Sequence, residues 1–278
     1  MGQETDKGNF SVLMSLYSKE KPEYFRECMK SILKQALLPS QIIIVKDGPL
    51  TDSLDKAVED FRGRDPDLYT IVPIAKNGGL GPALAKGIQY SKYELVARMD
   101  TDDVAVPTRF EKQYAEFKAD PSLDICGSNI LEFDGRKDHI VAKREVPLTD
   151  KEIKAYQRKR DAFNHMTVMY KKSAVLRAGN YQSVPLMEDT MLWVRMMQTG
   201  AKCKNIKEPL VYARVGKDMF SRRGGWSYFK KYRSGRLKVL QTGYISRMDY
   251  LETVAVQFVV ALIPGKMRET VFKKILHR

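Results

Sequence analysis

The stretch that most constrains the fold is an apolar run, Leu95, Val96, Ala97, Arg98 and Met99, that ends in Asp100, Thr101, Asp102 and Asp103. A short apolar run bounded by turn-forming polar residues reads as a buried strand. The acidic residues then stand at its C-terminal lip, where open α/β sheets place their ligands. Three carboxylates within four residues repel one another and ionise together most readily around a hard cation. Mg2+ or Mn2+ held by one or two carboxylates completes its shell with water and substrate phosphates, so the pattern points to a nucleotide-diphosphate ligand. The alternative is that Asp102 or Asp103 caps a helix starting near Pro107 while the other carboxylates are solvated.

The residues before this stretch alternate strand and helix. Residues 10–16 form a strand closed by Tyr17 and Ser18. Pro22 opens an amphipathic helix to about Leu37, and residues 41–45 make a second strand ending in Lys46, Asp47 and Gly48. A helix over 51–64, a strand over 69–74 and a helix over 82–90, entered through Asn77, Gly78 and Gly79, continue the pattern. It predicts a mostly parallel sheet with helices on both faces. After a helix from Pro107 to about Lys118, residues 125–141 are β-rich with a turn at Asp134 and Gly135, so antiparallel strands would make the sheet mixed. A basic helix over 150–160 leads to Asn164, His165 and a strand over 166–170. Ser173 is expected to cap a helix ending at Gly179. Glu188 and Asp189 open another helix, and strands follow over 203–206 and 210–213.

A chain of 278 residues, 43% hydrophobic and 29% charged, suffices for one large α/β domain with or without an appendage. Three scattered cysteines without C-x-x-C spacing suggest neither zinc nor a disulfide framework. With a polar N-terminus, they predict a cytoplasmic setting. The net charge of +14 is concentrated at one end: residues 201–278 carry 18 Lys+Arg against 5 Asp+Glu, or +13. Such a block meets nucleic acid, anionic lipid or a phosphorylated substrate. Within it, Arg222 and Arg223 sit near Gly224 and Gly225, as suits a loop that closes on phosphates. The longest apolar run, 253–263, is far below the ~20 residues needed to cross a bilayer. Val271, Ile275 and Leu276 interleaved with Lys273, Lys274 and Arg278 fit a helix on an anionic membrane surface or one closing the core.

Taken in order, Tyr17 at the first strand end, Asp47 and Gly48 at the second, the Asn77 glycine loop, the Asp100 to Asp103 cluster and Glu188 with Asp189 resemble glycosyltransferase family 2. The resemblance is strongest to its bacterial capsule, O-antigen and amylovoran-type polysaccharide enzymes. It spans roughly residues 10–225 and implies a GT-A fold, an α/β/α sandwich with a mostly parallel mixed sheet and a C-terminal helical extension. The GT-A domain would cover 1–225, with a nucleotide half of about 10–105 and an acceptor half of about 106–225. A basic amphipathic helical extension would cover 226–278.

Carried over residue by residue, the resemblance implies that Tyr17 lies against uracil, or else packs on the sheet edge. Asp47 accepts from the uracil N–H beside Asn77, or makes only a turn. Asp100 is implied as a ribose- or phosphate-side carboxylate and Asp102 as the ligand of Mn2+ or Mg2+, with Asp103 supporting either. His165 touches acceptor or pyrophosphate, or is a hydrogen-bonded core residue. Arg222 and Arg223 would clamp the leaving diphosphate. Asp189 matches the catalytic base, supported by Glu188, unless the pair only loads a helix N-terminus. A sugar hydroxyl is a poor nucleophile at neutral pH, so a base within reach is a chemical requirement.

The implied activity is inverting, metal-dependent transfer of a hexose from a UDP-sugar, UDP-Glc or UDP-Gal favoured, to a lipid-diphosphate-linked saccharide. A β-linkage would form, on the inner face of the cell membrane with the enzyme peripherally bound to the anionic surface. A sugar nucleotidyltransferase is the first alternative, but it places a glycine-rich loop after its first strand, and residues 15–21 contain no glycine. A basic nucleic-acid-binding protein is the second, and no helix-turn-helix, zinc or stacking signature supports it; no nucleic-acid partner is expected.

Overall fold

The computed structural model describes residues 7–184, 186–216 and 224–263. Arg222, Arg223 and the terminal pattern from Val271 to Arg278 lie outside the described residues.

Four parallel strands form the first half of a nine-stranded sheet: β1 (Lys7–Leu16), β2 (Leu38–Asp47), β3 (Tyr69–Ile74) and β4 (Leu95–Arg98), in spatial order β3-β2-β1-β4. The crossovers carry α1 (Pro22–Ile32), α2 (Asp52–Arg62) and α3 (Leu80–Gln89). Successive strand residues point to opposite faces, and the apolar runs of β1 and β2 are apolar at both parities. Val12, Met14, Ile42 and Ile44 meet Phe25 and Met29 of α1 and Leu54 and Phe61 of α2 in one core layer. Leu13, Ile43 and Val45 meet Ala83, Leu84 and Ile88 of α3 in the other. The sheet is therefore covered on both sides, as its doubly apolar strands require.

The second half makes the sheet mixed. β8 (Met169–Lys171) inserts antiparallel between β4 and β6 (Ile125–Phe133), and β9 (Cys203–Arg214) runs parallel to β6. The expected turn at Asp134 and Gly135 joins β6 to β7 (Ile140–Arg144) as an antiparallel pair. β5 (Val104–Ala105), a two-residue strand too short to leave a pattern, pairs antiparallel with β9. Helices α4 (Arg109–Ala119), α5 (Asp150–Gln157), α6 (Lys172–Arg177) and α7 (Glu188–Gln198) complete the sandwich.

Three expectations shift. The first helix stops at Ile32, and the side chain of Gln35 bonds Ser31 O and Val106 O while accepting from Phe110 N, tying the turn to the start of α4. Ser173 lies inside α6 and its hydroxyl donates to Glu94 Oε1, while the cap position falls to Lys171. The two short strands expected over 203–213 are one continuous β9, irregular where Pro209 cannot donate to the ladder and Asn129 Nδ2 donates to Lys207 O instead.

Two helices follow the sheet: α8 (Gly225–Gln241) is basic as expected of the extension, but α9 (Arg247–Leu262) is not, since it sets Arg247 against Asp249 and Glu252 in an otherwise mostly apolar sequence. Val239 and Ile245 pack with Met187, Met191 and Val194 in a third cluster that seats α8 against α7. Arg158 and Lys159, at the end of α5, pair with Asp249 and Glu252 of α9. Among the described residues, no helix is long and apolar enough to cross a membrane.

Candidate active site

The parallel strands bring Tyr17, Asp47 and the Asp100 to Asp103 cluster to their C-terminal edge. Tyr17 follows β1 and is partly exposed. Asp47 ends β2, is buried, and accepts from Gly78 N (2.8 Å), Gly79 N (3.0 Å) and Asn77 Nδ2 (2.9 Å). The structure thus brings Asp47 and Asn77 together in one clamp. A carboxylate has about four acceptor sites, so one remains for a ligand N–H. Gly48 turns the chain there at φ +85°, and a Cβ on it would stand 2.8 Å from Asn77 N.

The acidic loop is built around two arginines whose roles the sequence did not reveal. Arg98, the last residue of β4, is buried and forks both oxygens of Asp100, with Nη1 2.6 Å from Oδ2. Its own carbonyl accepts from the buried Arg109 (2.6 Å), which burial and the neighbouring Arg98 charge pull down to about 9. Arg214, at the end of β9, holds the other side of the loop: its N–H donates to Asp103 Oδ1 (2.7 Å) and its Nε to Asp102 O (3.0 Å). Thr101 donates to Glu20 Oε2 (3.0 Å), adding a further carboxylate beside the cluster. The cap of α4 falls at Thr108, so neither Asp102 nor Asp103 caps that helix.

Burial, Asp100 and Glu20 push the Asp102 carboxyl up to about 7, and burial with Asp102 and Asp100 raises Asp103 well above the usual carboxylate range. That crowding of negative charge fits a divalent cation. No group of three metal-ligating side chains occurs among the described residues. The protein would therefore supply Asp102, and the substrate's diphosphate and water the remaining oxygens, a mode common for Mg2+.

In the second half, the start of α7 brings Glu188 and Asp189 to the site. Asp189 Oδ1 accepts from Thr190 N (2.8 Å), while Thr190 Oγ1 donates to Asp161. Burial, then the Asp161 charge, raises Asp189 to about 7, within the range useful to a base. His165 Nδ1 lies 3.9 Å from Asp189 Oδ2, beyond hydrogen-bond reach. Its Nε2 is 2.9 Å from Tyr181 Oη, its ring packs against Trp193, and burial holds its pKa well below 6.5. His165 is therefore a neutral neighbour of Asp189. Glu188 packs against a helix of the sheet's first half: a Cβ on Gly81 at the start of α3 would stand 2.9 Å from Glu188 Cγ, so the glycine permits that approach.

Asp189, Asp161 and His165 line a cavity of about 860 Å³ together with Gly224, residues of α8 and Gln257 of α9. Tyr17, Asp47, Asp100 and Asp102 do not line it. The arrangement is an acidic edge at the ends of the parallel strands and a separate cavity lined by a carboxylate raised to about 7.

The family model for Glycosyl transferase family 2 matches residues 11–182. The amylovoran biosynthesis glycosyltransferase AmsE of Erwinia amylovora is 37% identical over 270 residues, covering 95% of this chain and 98% of its own. The UDP-Gal:alpha-D-GlcNAc-diphosphoundecaprenol beta-1,3-galactosyltransferase of Escherichia coli is 31% identical over 278 residues, covering 100% and 99%. Among solved structures, the mannosyltransferase PcManGT of Pyrobaculum calidifontis in complex with GDP-Man and Mn2+ superposes with a TM-score of 0.63 at 15% identity, over 95% of this chain and 74% of that one. The fold is thus that of the GT-A glycosyltransferases. The chain belongs to glycosyltransferase family 2.

Proposed function

We propose that this chain moves a hexose from a UDP-sugar to a hydroxyl of a lipid-diphosphate-linked saccharide in surface polysaccharide synthesis, with inversion at the anomeric carbon. The observation that carries the reading is the placement of Asp189, a carboxylate raised to about 7, on the wall of the cavity beside the acidic edge. Two relatives support it by name: one of amylovoran biosynthesis, the other acting with UDP-Gal on a diphosphoundecaprenol-linked GlcNAc.

In this reading the clamp of Asp47 and Asn77 receives the uracil with its remaining acceptor position, and Tyr17 lies against the ring. Asp100, oriented by Arg98, faces the ribose or phosphates, and Asp102, with Asp103 behind it, holds the divalent ion. Mn2+ or Mg2+ bound there would neutralise charge on the departing diphosphate, so no general acid is needed. Arg222 and Arg223 are proposed to close on the same phosphates. Asp189 takes the proton of the acceptor hydroxyl as that oxygen attacks C1 opposite UDP, turning an α-linked donor into a β-linked product. Asp161 and Glu188 keep Asp189 basic, and His165 fixes the wall behind it without carrying charge.

The described part of the C-terminal extension supports a peripheral membrane position. Met248, Leu251, Val259 and Leu262 stand exposed along α9, at spacings that share one helical face. α9 itself carries one arginine against two acids, so the attraction to an anionic surface would come from the neighbouring α8, which has five Lys+Arg and no acid, and basic residues at such a surface contribute about 1 kcal/mol each. The activity is tested by supplying UDP-Glc, UDP-Gal, UDP-GlcNAc and UDP-GalNAc with Mn2+ to a synthetic GlcNAc-diphosphate-lipid. Transfer from a single donor is expected, and transfer from none would overturn the reading.

A further inference from the structure

The cavity beside Asp189 has an uneven charge. Arg144 of β7, Arg160 just after α5 and Lys231 of α8 line it together with Lys159 and Arg236. The latter two are engaged: Lys159 pairs with Glu252, and Arg236 bonds Thr253 Oγ1 and Arg158 O. Among the described residues, Arg144 donates only to a backbone carbonyl, that of Asp161 (3.3 Å). Among the described residues, Arg144, Arg160 and Lys231 have no carboxylate partner. The contrast is sharpest at the end of α5, where Arg158 and Lys159 both clamp carboxylates of α9 and the next residue, Arg160, turns to the cavity unpaired. Three acids, Glu132, Asp161 and Asp189, line the cavity against these five cations, and among the described residues none of them forms an ion pair with Arg144, Arg160 or Lys231. Asp161 is occupied by Thr190 and Gln157, and Asp189 by Thr190 N.

Three cations without an ion-pair partner, from three separate parts of the chain lining one cavity that holds five cations and three acids, repel one another, and an anion between them relieves that repulsion. Guanidinium forks suit phosphate oxygens, and an ammonium adds a point charge. Position narrows the class of anion further. None of the three cations forms an ion pair with Asp189, whose one such contact among the described residues is His165 at 3.9 Å. The anion-binding groups therefore lie beyond the immediate neighbours of the reacting oxygen, leaving room for a sugar ring between them.

We propose that Arg144, Arg160 and Lys231 form a phosphate-binding rim that selects acceptors whose saccharide is joined to a phosphate or diphosphate. The inference rests on reading the Asp189 cavity as the acceptor site. The rim holds the phosphoryl group by charge and hydrogen bonds, and the hydroxyl at the far side of the saccharide then reaches Asp189. No bond to phosphorus is made or broken there.

The test uses the full chain and two short-chain probes, a GlcNAc-diphosphate-alkyl compound and the phosphate-free alkyl glycoside of GlcNAc, with binding measured calorimetrically. Wild type should bind the diphosphate form roughly ten- to a hundredfold more tightly, the range of one or two charge-assisted contacts. The double variant R160A/K231A should lose that preference while its UDP affinity stays unchanged. Removing two cations outside the cavity, K30A/K34A, should leave the preference intact. Equal binding of both probes by wild type, a preference that survives R160A/K231A, or a parallel fall in UDP affinity would each overturn the rim. The transferase reading fails separately: preference without transfer sinks that reading and keeps the rim, whereas transfer to both probes at equal KM keeps the transferase and sinks the rim.

Discussion

Arg98 forks both carboxylate oxygens of Asp100 from a buried position at the end of β4, while Asp100 itself remains part-exposed at the strand lip. The pair fixes the direction of the acidic loop before any ligand arrives. It also lowers the repulsion that Asp100 would otherwise exert on Asp102, since Asp100 raises and Arg98 lowers the Asp102 pKa.

Removing one partner of a buried pair typically costs about 3–5 kcal/mol. Arg98→Met should therefore lose stability near the low end of that range, because Asp100 can still reach water. Donor affinity should fall as well, because the loop loses its orientation. Urea unfolding and UDP calorimetry measure the two effects, and Arg98→Met/Asp100→Asn should recover stability without recovering donor affinity. Unchanged UDP binding in Arg98→Met would remove the pair from the nucleotide site.

The proposed metal dependence is motivated by the crowding at Asp102. Excess EDTA should stop transfer, Mn2+ or Mg2+ should restore it, and Asp102→Ala should stay inactive at any metal concentration. Turnover in EDTA equal to that in Mn2+ would contradict the assignment.

The raised Asp189 pKa gives a pH dependence with a definite sign. A base must be ionised, so kcat should rise with pH through about 7. Stability runs the other way. The folded carboxyl binds its proton more tightly than the unfolded one, whose pKa is about 3.9, so its contribution is full below that pH and is lost as pH rises through about 7. Asp189→Asn should accordingly raise the melting temperature relative to wild type at pH 8 and not at pH 3.5. A difference that does not change with pH would show that Asp189 titrates normally.

If α9 rests on an anionic membrane, wild type should co-sediment with anionic but not zwitterionic vesicles, less so in high salt. Leu251→Ser/Val259→Ser/Leu262→Ser should weaken that binding with donor affinity intact. Equal sedimentation with both vesicle types would leave the exposed face without this role.

The alternation of strands and helices in the first 100 residues was legible because each apolar run is short and doubly apolar, and the motif residues fall where the runs stop. Asp47 and the Asp100 to Asp103 cluster could be singled out for that reason, whereas Asn77 and Asp189 came from the resemblance to glycosyltransferase family 2. Arg214 could not, because its bonds to Asp102 and Asp103 span more than 100 residues and depend on the register of β9. Arg98 left a weak signal, an arginine inside an apolar run just before three acids, that only a buried partner explains. Asp161 was hidden in a polar stretch, since its role depends on a hydroxyl of α7. The strand expected over 166–170 is the shorter β8, and its antiparallel direction was not legible because a three-residue strand takes its direction from its neighbours, β4 and β6.

The central claim is that Asp189 is the base of glycosyl transfer, and the most direct measurement compares kcat with UDP-sugar Kd for wild type and Asp189→Asn. The substitution keeps the size and hydrogen-bonding capacity while removing the base. The account predicts a fall in kcat of roughly 10²–10⁴-fold, the usual contribution of a general base, with donor Kd unchanged. A donor Kd that weakened in proportion to kcat, or a kcat within a few-fold of wild type, would contradict it.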